Sequence, residues 1–297
     1  MAPRLEGRIA VVTGGTTGIG LATAKRFATE GARVFVTGRR QAELDAAVEA
    51  IGPRATGVQA DSANLSDLNR LYARVKTEGG RIDVLFVNAG GGSMLPLGSI
   101  TEEQYDDTFG RNVKGVLFTV QKALPLLVDG ASVILTASNV SIKGTPAFSV
   151  YSASKAAVRN FARSWTLDLK SRGIRVNVIS PGPIKTPGLV DLAGPDAAQQ
   201  QGLLDYMAST VPLGRVGDPD DVAGAAVFLA SSDASFIAGT ELFVEGGQAQ
   251  IREPDSRHAA KSQKGWDIGL RSGDARHLTS CRRCLRKGRL DFSRATR

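Results

Sequence analysis

Tyr151 and Lys155 stand four residues apart in a stretch whose pattern predicts a helix, so their side chains share a face. A phenol beside an ammonium has a definite chemical use: it can pass a proton to or from an oxygen that alternates between carbonyl and alcohol. Free tyrosine titrates near 10, too high for efficient acid–base work at neutral pH. A close positive charge favours the phenolate. Lowering the titration by about 3 units takes about 4 kcal/mol of differential stabilisation, within the range of close charges in a partly dry cleft. Ser138, thirteen positions earlier at the end of an apolar run, can hold the reacting oxygen near that phenol. Each residue alone has an ordinary reading: packing for the tyrosine, solvated charge for the lysine, a cap for the serine. The three together, at this spacing, point to chemistry.

A second constellation supplies a place for a cofactor. Thr13-Gly14-Gly15-Thr16-Thr17-Gly18-Ile19-Gly20 joins an apolar run to a predicted helix. Glycines permit positive φ and remove the Cβ that would hold a pyrophosphate off the backbone. The helix start offers free N–H groups and a partial positive charge. The spacing differs from the common G-x-G-x-x-G fingerprint, and alone it would also suit a tight turn. The end of the next apolar run then discriminates between nicotinamide dinucleotides. NAD(H) sites generally carry an acidic residue there for the ribose hydroxyls, whereas this chain has Gly38, Arg39 and Arg40. Arg39 presents a planar, permanently charged fork suited to a 2′-phosphate, so NADP(H) is expected ahead of NAD(H). The positive charge of an oxidised nicotinamide would also favour the phenolate of Tyr151.

The elements that must position these groups alternate along the chain. Short apolar strands are predicted at Arg8–Thr13, Arg33–Thr37, Ala55–Ala60, Asp83–Val87, Ser132–Thr136, Arg175–Ile179 and Leu242–Val244. Helices are predicted through about Glu30, at Gln41–Ile51, Leu65–Glu78, Thr101 to about Val128, about Ser149 to Ser171, and Pro219–Ala230. This alternation implies an α/β fold: a single doubly wound, Rossmann-type domain with a seven-stranded, mostly parallel sheet and helices on both faces. Ligands bind such sheets beyond the carboxyl ends of the strands, where most of these motifs fall. Residues 187–212, bounded by Pro187 and Pro212 with a short helix near Ala197–Ser209, form a candidate lid.

With these motifs in order, the chain resembles the short-chain dehydrogenase/reductase family, in its branch of roughly 250 residues. The resemblance covers about residues 5–250 and rests on Thr13–Gly20, Asp61, Asn88-Ala89-Gly90, Asn112, Ser138, Tyr151 with Lys155, and Pro181-Gly182. The double asparagine usual before Ala-Gly is here Val87-Asn88. The resemblance implies Tyr151 as acid/base and Lys155 on the nicotinamide ribose. It implies Asn112 as support for a water-linked proton relay, with Asp61 and Ser62 at the adenine and Asn88 to Gly90 beneath the adenosine ribose. It further implies that Pro181-Gly182 faces the nicotinamide, with Ile184 and Thr186 at its carboxamide. A homotetramer is implied, paired through the long helices near 101–128 and 149–171. The substrate pocket would draw on Gly91 to Met94, Asn139, Val140, Phe148, Gly182, Leu189, Val190, Leu192 and Met207. That mostly apolar set suits a small neutral carbonyl or secondary alcohol, unless Lys143 or Lys185 points inward. A 3-oxoacyl thioester is the rival substrate. A non-catalytic dinucleotide-binding regulator or scaffold is the rival of another class.

Composition bounds the rest. The 297 residues are 42% hydrophobic and 22% charged, which excludes a fibrous or disordered chain. No apolar stretch reaches about 18 residues and no secretory leader is recognisable, so the expectation is a cytoplasmic protein away from membranes. The net charge of +8 lies wholly after Ile251: residues 1–251 hold 24 basic and 24 acidic side chains, residues 252–297 hold 13 and 5. His258, His277, Cys281 and Cys284 lie there too, so residues 1–251 carry no disulfide and no metal site is expected. The reading is a catalytic domain over 1–251 and a basic, disordered tail over 252–297. Any nucleic-acid binding would reside in that tail.

Overall fold

The computed structural model describes residues 3–251; the tail expectation lies outside the described residues. In chain order, β1 (Ile9–Thr13) leads to α1 (Gly18–Thr29), β2 (Arg33–Gly38) to α2 (Gln41–Ile51), and β3 (Ala55–Gln59) to α3 (Leu65–Glu78). β4 (Ile82–Val87) precedes α4 (Glu102–Phe109), a π-helical turn at Gly110–Lys114, and α5 (Gly115–Ala123). β5 (Leu127–Thr136) leads to α6 (Ser149–Asp168) and β6 (Arg175–Pro181). Two helices follow, α7 (Pro187–Val190) and α8 (Ala197–Ser209), then α9 (Pro219–Ala230) and β7 (Glu241–Val244). The strands form one sheet in the order β3-β2-β1-β4-β5-β6-β7, and each neighbouring pair is parallel.

Burial explains why the strands read as continuous apolar runs. Val11, Phe35, Leu85, Val133 and Val176 point into one core, beneath α3, α5 and α6. Their neighbours Val12, Val34, Phe86 and Ile134 point into the other, beneath α1 and α9. Both faces are covered, so alternation of apolar and polar residues is lost. Helix starts follow local chemistry. Asn64 Oδ1 accepts from the Ser66 and Asp67 amides at the head of α3, and Asp218 with Asp221 forms a capping box on α9, with Pro219 in its first turn.

Two boundaries differ from the sequence expectation. The long helix near 101–128 is two helices joined by the π turn, and it stops at Ala123 because Pro125 cannot continue it. The apolar residues after Pro125 begin β5 instead, five residues before the expected start at Ser132. The following long helix ends at Asp168, short of Ser171, and closes through a turn ending on Gly173 at φ 62°.

Candidate active site

The strand order reverses between β1 and β4, and the loops leaving those two strands flank a polar cleft at their carboxyl ends. Thr13 organises both loops. Its hydroxyl accepts from the amides of Asn88 (3.1 Å) and Ala89 (3.2 Å). The Asn88 side-chain amide donates to the Gly14 carbonyl (3.1 Å), so this side chain braces the glycine loop. Gly14 and Gly18 have positive φ, 63° and 52°. A Cβ on Gly14 would lie 2.9 Å from the Ala89 Cα, and one on Gly20 only 2.0 Å from the Gly14 carbonyl oxygen. Thr17, at the head of α1, makes no side-chain cap, and the first turn has no acidic residue. A narrow backbone cradle, an uncapped helix start and the lining residues Thr16, Arg39, Asp61, Ser62 and Gly90 fit the phosphates and polar groups of a dinucleotide.

Details at the two ends of this cleft depart from the sequence picture. Glu43 lines it, a carboxylate that sequence reasoning did not place there, but it is paired with Arg40. Arg39 lines the same cleft and makes no ion pair among the described residues. Arg111, unforeseen, also lines it while paired with Asp107. At the other end, Thr186 lies against Gly18, and its hydroxyl caps α7 by accepting from the Leu189 amide (3.2 Å). Gly182 donates to the Val244 carbonyl (3.0 Å). The Ile184 side chain is buried in the core with α9, which leaves its main chain as the part that can face a ligand.

Beside the cleft, Tyr151, Lys155, Ser138 and Asn112 come together. The Lys155 side chain is buried and Nζ donates to the Thr136 carbonyl (2.8 Å), 5.6 Å from the centre of the Tyr151 ring. Asn112 sits in the π turn, and that extra residue aims its amide inward. Oδ1 accepts from the Gly91 amide (3.0 Å), while Nδ2 donates to the Gly91 carbonyl and to Ser154 Oγ (both 2.9 Å). Ser154 Oγ donates in turn to the Tyr151 carbonyl (2.7 Å). A Cβ on Gly90 would stand 2.8 Å from Asn112 Oδ1 and 3.4 Å from Lys155 Nζ, so glycine keeps the space between these groups open. Gly92, expected in the substrate pocket, packs against the Tyr151 ring, and Ser154, which sequence reasoning missed, supports the Tyr151 main chain; a small residue among other small residues carries no signal of its own.

Burial opposes one of the expected electrostatic effects. The ammonium was expected to draw the phenol's titration down. Among the protein's own groups, burial instead pushes Tyr151 up to about 12, with a hydrogen bond from Ser138 pulling the other way. Part of the Tyr151 surface stays open to the cleft, which tempers that push. Burial lowers Lys155 to about 8. Desolvation disfavours both charged forms at once.

Of the substrate-pocket expectations, Phe148 stacks on Tyr151, with ring centres 4.4 Å apart. Asn139 and Lys143 are both engaged by Gln248 Oε1 (2.7 and 3.0 Å), and Lys185 is exposed. In the 187–212 segment, no residue of α8 is buried, and Thr210 accepts from Gln248 Nε2 (2.7 Å). Among the described residues, no group of three or more His, Cys, Asp or Glu could hold a metal ion, and no helix is long and apolar enough to cross a membrane.

Residues 14–249 match the family model described as enoyl-(acyl carrier protein) reductase. The chain is 51% identical over 250 residues to the oxidoreductase asL5 of Sarocladium schorii, covering 84% of this chain and 98% of that one. The chain belongs to the short-chain dehydrogenase/reductase family. Another relative in this family is the NADP-dependent (R)-specific alcohol dehydrogenase of Lentilactobacillus kefiri, 35% identical over 254 residues, 83% of this chain and 98% of the relative. The crystal structure of a family member from Brucella melitensis, titled glucose/ribitol dehydrogenase, superposes with a TM-score of 0.79 at 30% identity, covering 84% of this chain and all of that one. The family makes this chain an oxidoreductase that uses a nicotinamide dinucleotide and acts between alcohol and carbonyl.

The lowered Lys155 has a thermodynamic signature. Between about 8 and 10.5 the unfolded chain binds a proton that the folded chain does not, so stability rises with pH through that window. Wild type should gain about 2–3 kcal/mol on Lys155→Met between about pH 7 and pH 10 in chemical denaturation. A stability gap that stays constant over that range would contradict a desolvated amine at this position.

Proposed function

We propose that this chain interconverts a neutral carbonyl compound and its secondary alcohol with NADP(H), with Tyr151 as the acid–base group. The observation that carries this reading is the convergence of Tyr151, Ser138 and buried Lys155 beside the glycine-lined cleft. The bound nicotinamide supplies or accepts the hydride. Ser138 holds the substrate oxygen against the phenol, and Tyr151 donates the proton as that oxygen becomes an alcohol. Lys155 favours the phenolate and reaches the ribose, and Asn112 steadies the path by which the proton is replaced.

Arg39 carries the preference for the phosphorylated cofactor, because the nearby carboxylate Glu43 is neutralised by Arg40. The NADP-dependent relative from L. kefiri supports that choice. Exposed apolar side chains on the segments that follow β4, β5 and β6, namely Met94, Ile142, Leu192 and Tyr206, support a neutral substrate. The 187–212 segment serves as a lid over that substrate. A surface groove between α5 and α6, lined by Leu117, Val120, Leu124, Trp165 and Leu169, supports pairing of subunits into a tetramer through these helices.

A 3-oxoacyl thioester is the second reading. It is favoured by a relative 35% identical over 249 residues, the 3-oxoacyl-[acyl-carrier-protein] reductase FabG of Thermotoga maritima.

A panel of neutral aliphatic, alicyclic and aromatic ketones with NADPH, alongside acetoacetyl thioesters, separates the two substrates. Ketones should be turned over fastest, and Tyr151→Phe should lose about 10³-fold in kcat while still binding NADPH. Substantial turnover by that variant would refute the assigned chemistry. For the cofactor, wild type should favour NADPH over NADH in kcat/KM, and Arg39→Ala should cut that ratio by about tenfold or more through loss of a charge-assisted contact. An Arg39→Ala ratio equal to that of wild type would remove Arg39 from phosphate recognition.

A further inference from the structure

Ala147 is the one non-glycine residue at positive φ (60°) among the described residues. An L-residue is strained there, because its Cβ crowds the backbone. Such outliers persist only where their surroundings hold them, and they gather at functional sites. This one is four residues before Tyr151. Its carbonyl accepts from the Leu95 amide (2.8 Å), which ties it to the segment that follows β4. The next residue, Phe148, heads α6 and accepts there from the Ser152 amide (2.9 Å). The strained residue and the helix start therefore aim the Phe148 ring, which lies nearly parallel to the Tyr151 ring at 22° and 4.4 Å. A second approach comes from Gly92, where a Cβ would stand 2.5 Å from Tyr151 Cδ2. The phenol ring is thus confined by an aromatic face and by a backbone too close for any side chain.

We propose that Phe148, aimed by the strained backbone at Ala147, is a positioning residue that holds the Tyr151 phenol in line with Ser138. The inference rests on the reading of Tyr151 as the acid–base group. A phenol on a single freely turning Cα–Cβ bond would spend much of its time out of reach of the substrate oxygen, and misplacement by about 1 Å can cost about 10²-fold in rate. Aromatic stacking removes that freedom without placing a polar atom next to the reacting oxygen. The same ring covers one face of the phenol against water.

The test compares Phe148→Leu, Phe148→Tyr, Ala147→Gly and Tyr151→Phe, singly and with Phe148→Leu and Tyr151→Phe combined. The assay uses NADPH and the ketone of the panel that wild type reduces fastest. Phe148→Leu should lower kcat at least tenfold with the KM for NADPH within twofold of wild type. Water admitted to the phenol should move its limb of the pH profile for alcohol oxidation to lower pH. Phe148→Tyr, which keeps the ring, should recover wild-type kcat. Ala147→Gly should lower kcat while leaving Tm unchanged or higher, since glycine accepts this φ without strain. Adding Phe148→Leu to Tyr151→Phe should cost nothing further. Wild-type kcat and an unmoved limb in Phe148→Leu, with Tyr151→Phe inactive, overturn the positioning role alone. Turnover by Tyr151→Phe overturns the acid–base assignment, and the positioning role falls with it.

Discussion

The structure is organised around a buried amine and a half-buried phenol placed side by side. Burial pushes the phenol of Tyr151 up and the amine of Lys155 down, so at neutral pH the phenol holds its proton and the amine keeps its charge with less margin than in water. A buried amine next to a phenol is destabilising unless something makes use of it. The amine is held by the Thr136 carbonyl at the end of the central strand β5, the phenol by stacking and by Ser138, and the Tyr151 main chain by the Ser154–Asn112 chain. A desolvated pair is also a responsive one. In low dielectric, a positive charge brought close shifts a titration far more than it would in water.

The rest of the fold supplies the rigidity this arrangement needs. Parallel strands buried on both faces end at one edge, and the strand order reverses between β1 and β4. Thr13 ties the two loops at that point to each other, and glycines let them approach more closely than any Cβ would permit. The π turn at Gly110–Lys114 interrupts what would otherwise be one helix and turns Asn112 inward. Gln248 links the loop after Ser138 to Thr210, just past α8, by side-chain hydrogen bonds, as Thr13 and Asn88 link the loops after β1 and β4.

How much of this was legible depended on whether a feature has a local signature. The alternation of elements and the glycine loop have one, and the parallel sheet and the cleft lie where the pattern put them. Pro125 also has one, but the apolar run on both sides of it masked the stop and extended the helix into β5. The π turn has none. The i,i+3 pairing of Arg40 with Glu43 does have one, but whether Glu43 lines the cleft is a tertiary matter. The burial that opposes the phenolate of Tyr151 was not legible, because charge proximity can be guessed from i,i+4 spacing while the depth of burial is a tertiary quantity. Gly92 and Ala147 carry their roles in backbone geometry, and Ser154 in a hydroxyl whose partners are set by the tertiary fold, none of which residue type alone expresses.

The claim on which all of this depends is that the titrating group is the phenolic oxygen of Tyr151. Placing 3-fluorotyrosine at position 151 makes that phenol more acidic with almost no change of shape. Its effect is read in the pH profile of alcohol oxidation with NADP⁺. The account predicts that the limb reporting the phenol moves to lower pH by about the difference in acidity between the two phenols, as expected of a general base whose ionisation limits the rate. A limb that stays where it is in wild type would assign the proton to another group and contradict the account.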